Sequence, residues 1–182
     1  MTSPVFRALA ALALLLAAGG CSIQSTQTDM VRSAMPSEEF DADDYAWVMR
    51  FNDTETVVYA VSVGDGTVFA NRDGLQIGFD GWDPVLVTGM AGAMGDIKVH
   101  KPGDRQAGVR EHDIAGIGTF RVECEEPERV DRGWRTDCRH QGEERVYPMI
   151  QRVDLAADGR ITGIESHLVP GADPLVLTPL SD

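Results

Sequence analysis

From Tyr45 onward, turn signals recur about every 8 to 12 residues, a spacing that leaves room only for short strands between them. Asp-Gly pairs stand at Asp65-Gly66, Asp73-Gly74, Asp80-Gly81 and Asp158-Gly159. Such pairs suit tight turns that need positive φ. Between the signals the apolar residues follow a period of two. Tyr45, Trp47, Met49 and Phe51 alternate with Ala46, Val48 and Arg50. Side chains two apart share one face of a strand. "TVVYAVSV", "TVFANR", "LQIGF" and "VLVTGM" continue the series. After residue 45 no segment keeps a helical period for more than a few turns. The chain therefore reads as mainly antiparallel β, in a meander, barrel or sandwich.

The second half repeats the pattern with two cysteines in it. "GTFRVECE" carries Cys124 and "GWRTDCRHQ" carries Cys138, with the acidic-basic loop "EPERVD" between them. A last hairpin turns at Asp158-Gly159. Ile161 and Ile164 break strict alternation there, which predicts a bulge near Gly163. "PLVLTPL" reads as an edge strand, because Pro174 and Pro179 bound it and proline cannot donate to a ladder. "GMAGAMGDI" reads as a loop, a flap or a close crossing.

The first twenty residues read as an address. Arg7 is followed by an apolar run, Ala8 to Ala18, too short to span a bilayer, which takes roughly 20 residues. Its length and flanks fit a secretory signal. Ala18, Gly19 and Gly20 lead directly into Cys21, as in the bacterial lipobox, although the usual Leu is replaced by Ala18. Residues 1–20 are thus read as a signal peptide and Cys21 as the site of lipid attachment. Several acyl chains on one residue hold a protein to a membrane without a spanning helix. Ser22, rather than Asp, follows the cysteine, which points to the outer membrane, with the protein facing the periplasm. Residues 21–44 form a polar tether. "TDMVRSAMP" has the cap and the terminal proline of a short helix, and "SEEFDADD" is an acidic linker. Residues 45–182 form one β domain.

With Cys21 lipidated, Cys124 and Cys138 remain. An oxidising periplasm makes a disulfide the default for them. A metal site using Cys138 and His140 competes with that reading, but no CxxC or HxxxH spacing accompanies it. The formal net charge is −13, which disfavours nucleic acid as a partner.

No specific catalytic constellation is visible, and the chain reads as non-enzymatic, with no cofactor. There is no GxSxG, HExxH or phosphate-cradling glycine loop. "REHD", Arg110 to Asp113, cannot converge on a strand, since neighbours face opposite ways, and it reads as a solvated loop. "VGDGTVFANRDG" lacks the alternating ligands and terminal Glu of an EF-hand. Trp47, Trp82 and Trp134 read first as core or rim packing, for their apolar area. As platforms for stacking on sugar rings, Trp82 is the best candidate, since it sits in the polar turn "FDGWDP", and Trp134 is another.

The order of these features resembles the YjbF/GfcB-type lipoproteins, encoded with group 4 capsule and exopolysaccharide secretion genes. "NRDGLQIGF" with "TGMAG", and "VDLAADGRITGIESHLVPG", carry the resemblance, which covers roughly residues 28 to 180. It implies an antiparallel meander curled into an open barrel or half-barrel. It also implies a non-enzymatic outer-membrane accessory to polysaccharide export, with the export machinery as partner. Cys21 is the one functional position it transfers. A periplasmic half-barrel that carries lipid or acyl chains is the alternative, with the Met-rich "GMAGAMG" as its flap.

Overall fold

The computed structural model describes residues 45–90, 95–101 and 108–180. The expected short helix and Cys21 lie outside them. The strands are β1 (Ala46–Phe51), β2 (Thr54–Val63), β3 (Gly66–Ala70), β4 (Gln76–Phe79), β5 (Pro84–Thr88), β6 (Ile97–His100), β7 (Gly108–Ile114), β8 (Gly118–Cys124), β9 (Glu128–Val130), β10 (Gly133–Gln141), β11 (Val146–Leu155), β12 (Ile161–Ser166) and β13 (Leu175–Pro179). All pairings are antiparallel and most join sequence neighbours.

The sheet closes on itself, where an open or half-open barrel was expected. β13 pairs with β12 on one side and with β1 on the other. It is not an edge strand. Pro179 stands at the strand's last position, opposite Trp47, so its missing N–H interrupts no ladder. β10 completes the ring, pairing with β8 on one edge and β11 on the other. Twelve strands thus form the closed barrel. β9 continues the line of β8 along β10, with Gly133, Trp134 and Arg135 opposite Val130, Arg129 and Glu128. Closure removes the unpaired strand edges that an open sheet would expose.

Alternation sends one residue in two inward. Met49, Phe51, Val58, Phe69, Ile77, Phe79, Ile97, Ile114, Leu175 and Leu177 form a buried cluster. Trp47 packs against it, edge-on to Phe69 with ring centroids 5.1 Å apart, so Trp47 is a core residue rather than a binding platform. A smaller cluster joins Val122, Cys124, Cys138 and Met149. The predicted bulge is present: Asp154 faces Gly163 and Leu155 faces Ile161, leaving Thr162 as the extra residue. One turn differs in detail from its reading. At β2–β3 it is Gly64 that takes positive φ (57°). Gly66 is instead required by space, because a Cβ there would lie 2.7 Å from the Phe79 carbonyl oxygen.

"REHD" is also corrected. It is the centre of β7, not a loop. Glu111 and Asp113 are exposed, whereas Arg110 and His112 point inward at 3% and 0% exposure. Polar residues at inward positions erase the apolar alternation that identifies a strand.

Candidate site at one mouth of the barrel

Connections between antiparallel strands alternate between the two ends of a barrel. One end therefore carries the start of β1 together with the β4–β5, β6–β7, β9–β10 and β11–β12 connections. The chemistry-bearing residues gather at this end.

The β4–β5 turn is "FDGWDP". Asp80 shapes it, its Oδ1 accepting from the backbone N–H of Trp82 at 3.0 Å and of Asp83 at 2.9 Å. Asp83 then anchors it to the neighbouring strands. Arg110 Nη1 donates to Asp83 Oδ1 at 2.9 Å, and Lys101 Nζ lies 2.5 Å from Asp83 Oδ2 and 2.6 Å from Asp80 Oδ2. Burial alone would raise the Asp80 pKa. Lys101 and the two backbone N–H groups outweigh it and hold the carboxyl below its ordinary value.

This anchoring fixes Trp82, which is half-buried. Trp82 meets Trp134 with ring centroids 5.5 Å apart and planes inclined by 64°, an edge-to-face pair. The barrel's curl thus brings together the two tryptophans named as stacking candidates. Trp134 lines a half-open cleft of about 730 Å³, bounded by Arg129, Asp131 and Arg132 on one side and Leu155, Ala156 and Ala157 on the other. Gly133 permits the close approach of β10 to β11 at its floor, since a Cβ there would fall 1.8 Å from the Val153 carbonyl oxygen. The volume lies within the range of roughly 300–1,000 Å³ common for small-molecule sites. Sequence reading missed both Arg129, placed in the loop "EPERVD", and Arg132, which follows it. Their signal was the spacing of arginines around a tryptophan in "ERVDRGWR".

The cysteines are bonded to one another, Cys124 facing Cys138 directly in the β8–β10 register. Both sulfurs are thereby occupied, which removes Cys138 from the competing metal reading. His140 points its Nδ1 at the Arg121 carbonyl oxygen, 2.8 Å away, and packs against the rings of Phe120 and Tyr147.

His112 is fully buried. Its Nδ1–H donates to the Leu168 carbonyl at 2.8 Å, and Nε2 has no hydrogen-bond partner among the described residues. Burial, reinforced by the Arg110 charge, pushes its pKa below the ordinary value of about 6.5, despite the hydrogen bond to Leu168. The folded protein therefore keeps this ring neutral where the unfolded chain binds a proton. Stability is full above about pH 6.5 and declines as pH falls below it, until the folded group itself protonates. Urea midpoints at pH 7.5 and pH 5.5 measure this. The midpoint should drop at pH 5.5, and His112→Met should flatten the drop. An unchanged slope in that variant would remove His112 from the account.

No known family model matches the chain, and no curated protein matches it. Among solved structures, that of the hypothetical lipoprotein YmcC from Escherichia coli is similar, with a TM-score of 0.54 and 13% identity over 87% of this chain and 97% of that one. At this identity the likeness shows a common fold.

Proposed function

We propose that this chain is an outer-membrane lipoprotein, anchored through Cys21 and facing the periplasm, that serves capsule or exopolysaccharide export as a non-enzymatic accessory. The observation that carries the reading is the fold shared over nearly all of both chains with a protein described as a lipoprotein, taken together with the lipobox-like start. The inward side chains favour this reading over acyl-chain carriage. Met49, Val58, Ile77, Ile97, Leu175 and Leu177 have 0% exposure, so no open channel runs beside them.

The test compares surface polysaccharide in wild type, a deletion strain, and the deletion carrying Cys21→Ala. Polysaccharide should fall in the deletion and stay low with Cys21→Ala. Equal polysaccharide in all three strains would overturn the reading.

A further inference from the structure

The cleft beside Trp134 differs in charge from the rest of the chain. Its charged lining is Arg129, Arg132 and Asp131, a net positive wall in a chain of net charge −13. Arg50, Arg110, Arg135, Arg139, Arg152 and Arg160 each face a carboxylate within 4 Å, whereas Arg72, Arg121 and Arg145 do not, and none of these three lines the cleft. Among the described residues, neither Arg129 nor Arg132 is in an ion pair. Two guanidinium groups free of ion pairs on the wall of one cleft leave a place for an external anion.

Both arginines sit on backbone that is held in place. Arg129 stands opposite Trp134 in the β9–β10 register, so the two side chains share a face. The carbonyl of Arg132 accepts from the Leu155 N–H at 2.5 Å, tying the β9–β10 turn to β11. Trp134 is braced by Trp82. The cleft therefore offers an aromatic wall with two planar, permanently charged forks at its rim.

We propose that this cleft binds a sugar unit bearing a carboxylate or phosphate. The Trp134 ring packs against the C–H groups of the sugar, and Arg129 and Arg132 grip the anion, a geometry that their forked donors match in pairs. The inference deepens the export reading and rests on it for the source of the ligand. An acyl chain fits less well, because three charged residues line the opening.

Full-length lipoprotein in detergent micelles, titrated by tryptophan fluorescence and calorimetry, tests this. The probes are trigalacturonate, maltotriose as its neutral counterpart, inorganic phosphate, and dihexanoylphosphatidylglycerol. Trigalacturonate should bind, weaken with added salt, and exceed maltotriose by at least roughly tenfold, as charge-assisted pairing requires. Arg132→Gln, at an exposed turn, should lose at least roughly tenfold in affinity with an unchanged circular dichroism spectrum. Trp134→Phe, which keeps a ring in the wall, should bind more weakly yet still prefer the acidic sugar. Equal binding of maltotriose, no binding of trigalacturonate, or full affinity in Arg132→Gln would overturn the proposal. Preference for the phospholipid or for free phosphate over trigalacturonate would overturn its sugar part. The strain comparison is independent of these titrations. Binding with unaltered surface polysaccharide overturns the export role alone, and absent binding with lost polysaccharide overturns this site alone.

Discussion

Asp83→Ala should destabilise the folded chain by about 3–5 kcal/mol, the usual cost of removing one partner from a buried ion pair. Asp83 and Arg110 are 2% and 3% exposed, so the remaining guanidinium would lose a buried carboxylate partner in the barrel wall. The pair need not be a net source of stability, since burying both charges is itself costly. Lys101→Ala should cost less than Asp83→Ala, because its side chain retains 16% exposure and water reaches it. Arg110→Met combined with Asp83→Leu should recover most of the loss, since neither charge is then stranded. Urea unfolding of the four proteins measures this. If Asp83→Ala stays within about 1 kcal/mol of wild type, or the double variant is no better than the single, the buried-pair account fails.

The same substitution should also be visible at the mouth of the barrel. Asp83 ends the turn that carries Trp82, and its bonds to Arg110 and Lys101 tie that turn to strands far away in the chain. Releasing it should loosen the Trp82–Trp134 pair and reduce near-ultraviolet circular dichroism before global unfolding. The ionic chain and the aromatic pair are thus one mechanical unit. Arg110, at an inward position of β7, holds the turn that carries Trp82 through Asp83.

Much of the fold was legible in the sequence for a physical reason. In β1 to β5 the inward positions are apolar and the turns use residues tolerant of unusual φ, so period and punctuation agree. β6 and β7 were not legible. Arg110 and His112 occupy inward positions in β7, and their compensation by Asp83 and Leu168 is not local in sequence. Closure was not legible either. An alternating strand looks the same at the edge of a sheet and inside a ring, and Pro174 before β13 with Pro179 at its end favoured the edge. The site was half legible. Trp82 and Trp134 stood out as residues, but only the curl of the barrel makes them neighbours. Arg129 and Arg132 looked like ordinary solvated charges until the fold placed both on the lining of the cleft beside Trp134.

Removing the Cys124–Cys138 bond should lower stability by about 3 kcal/mol on the chain-entropy account. The two residues are 14 apart in sequence, and the bond limits the unfolded chain by closing that loop. The position of the bond sharpens the expectation. It lies where β10 passes from its partner β8 to its partner β9, and Glu125–Pro127 make no strand pairing between them. On that edge of β10 one more backbone bond follows the disulfide, from the Glu125 N–H to the Asp137 carbonyl at 2.9 Å, and the pairing then lapses until β9. The opposite edge is continuous, with β11 paired from Gly133 to Gln141. Cys124→Ala combined with Cys138→Ala should therefore still fold into the barrel. It should unfold at lower urea, with a steeper dependence on denaturant, because its unfolded state is more expanded. β9 and the arginine rim of the cleft should exchange amide hydrogens faster, while β1 to β5 keep their protection. Reducing agent added to the native protein should reproduce the same shift. A double variant as stable as wild type, with the same denaturant slope, would show that the bond constrains nothing the strands do not already hold.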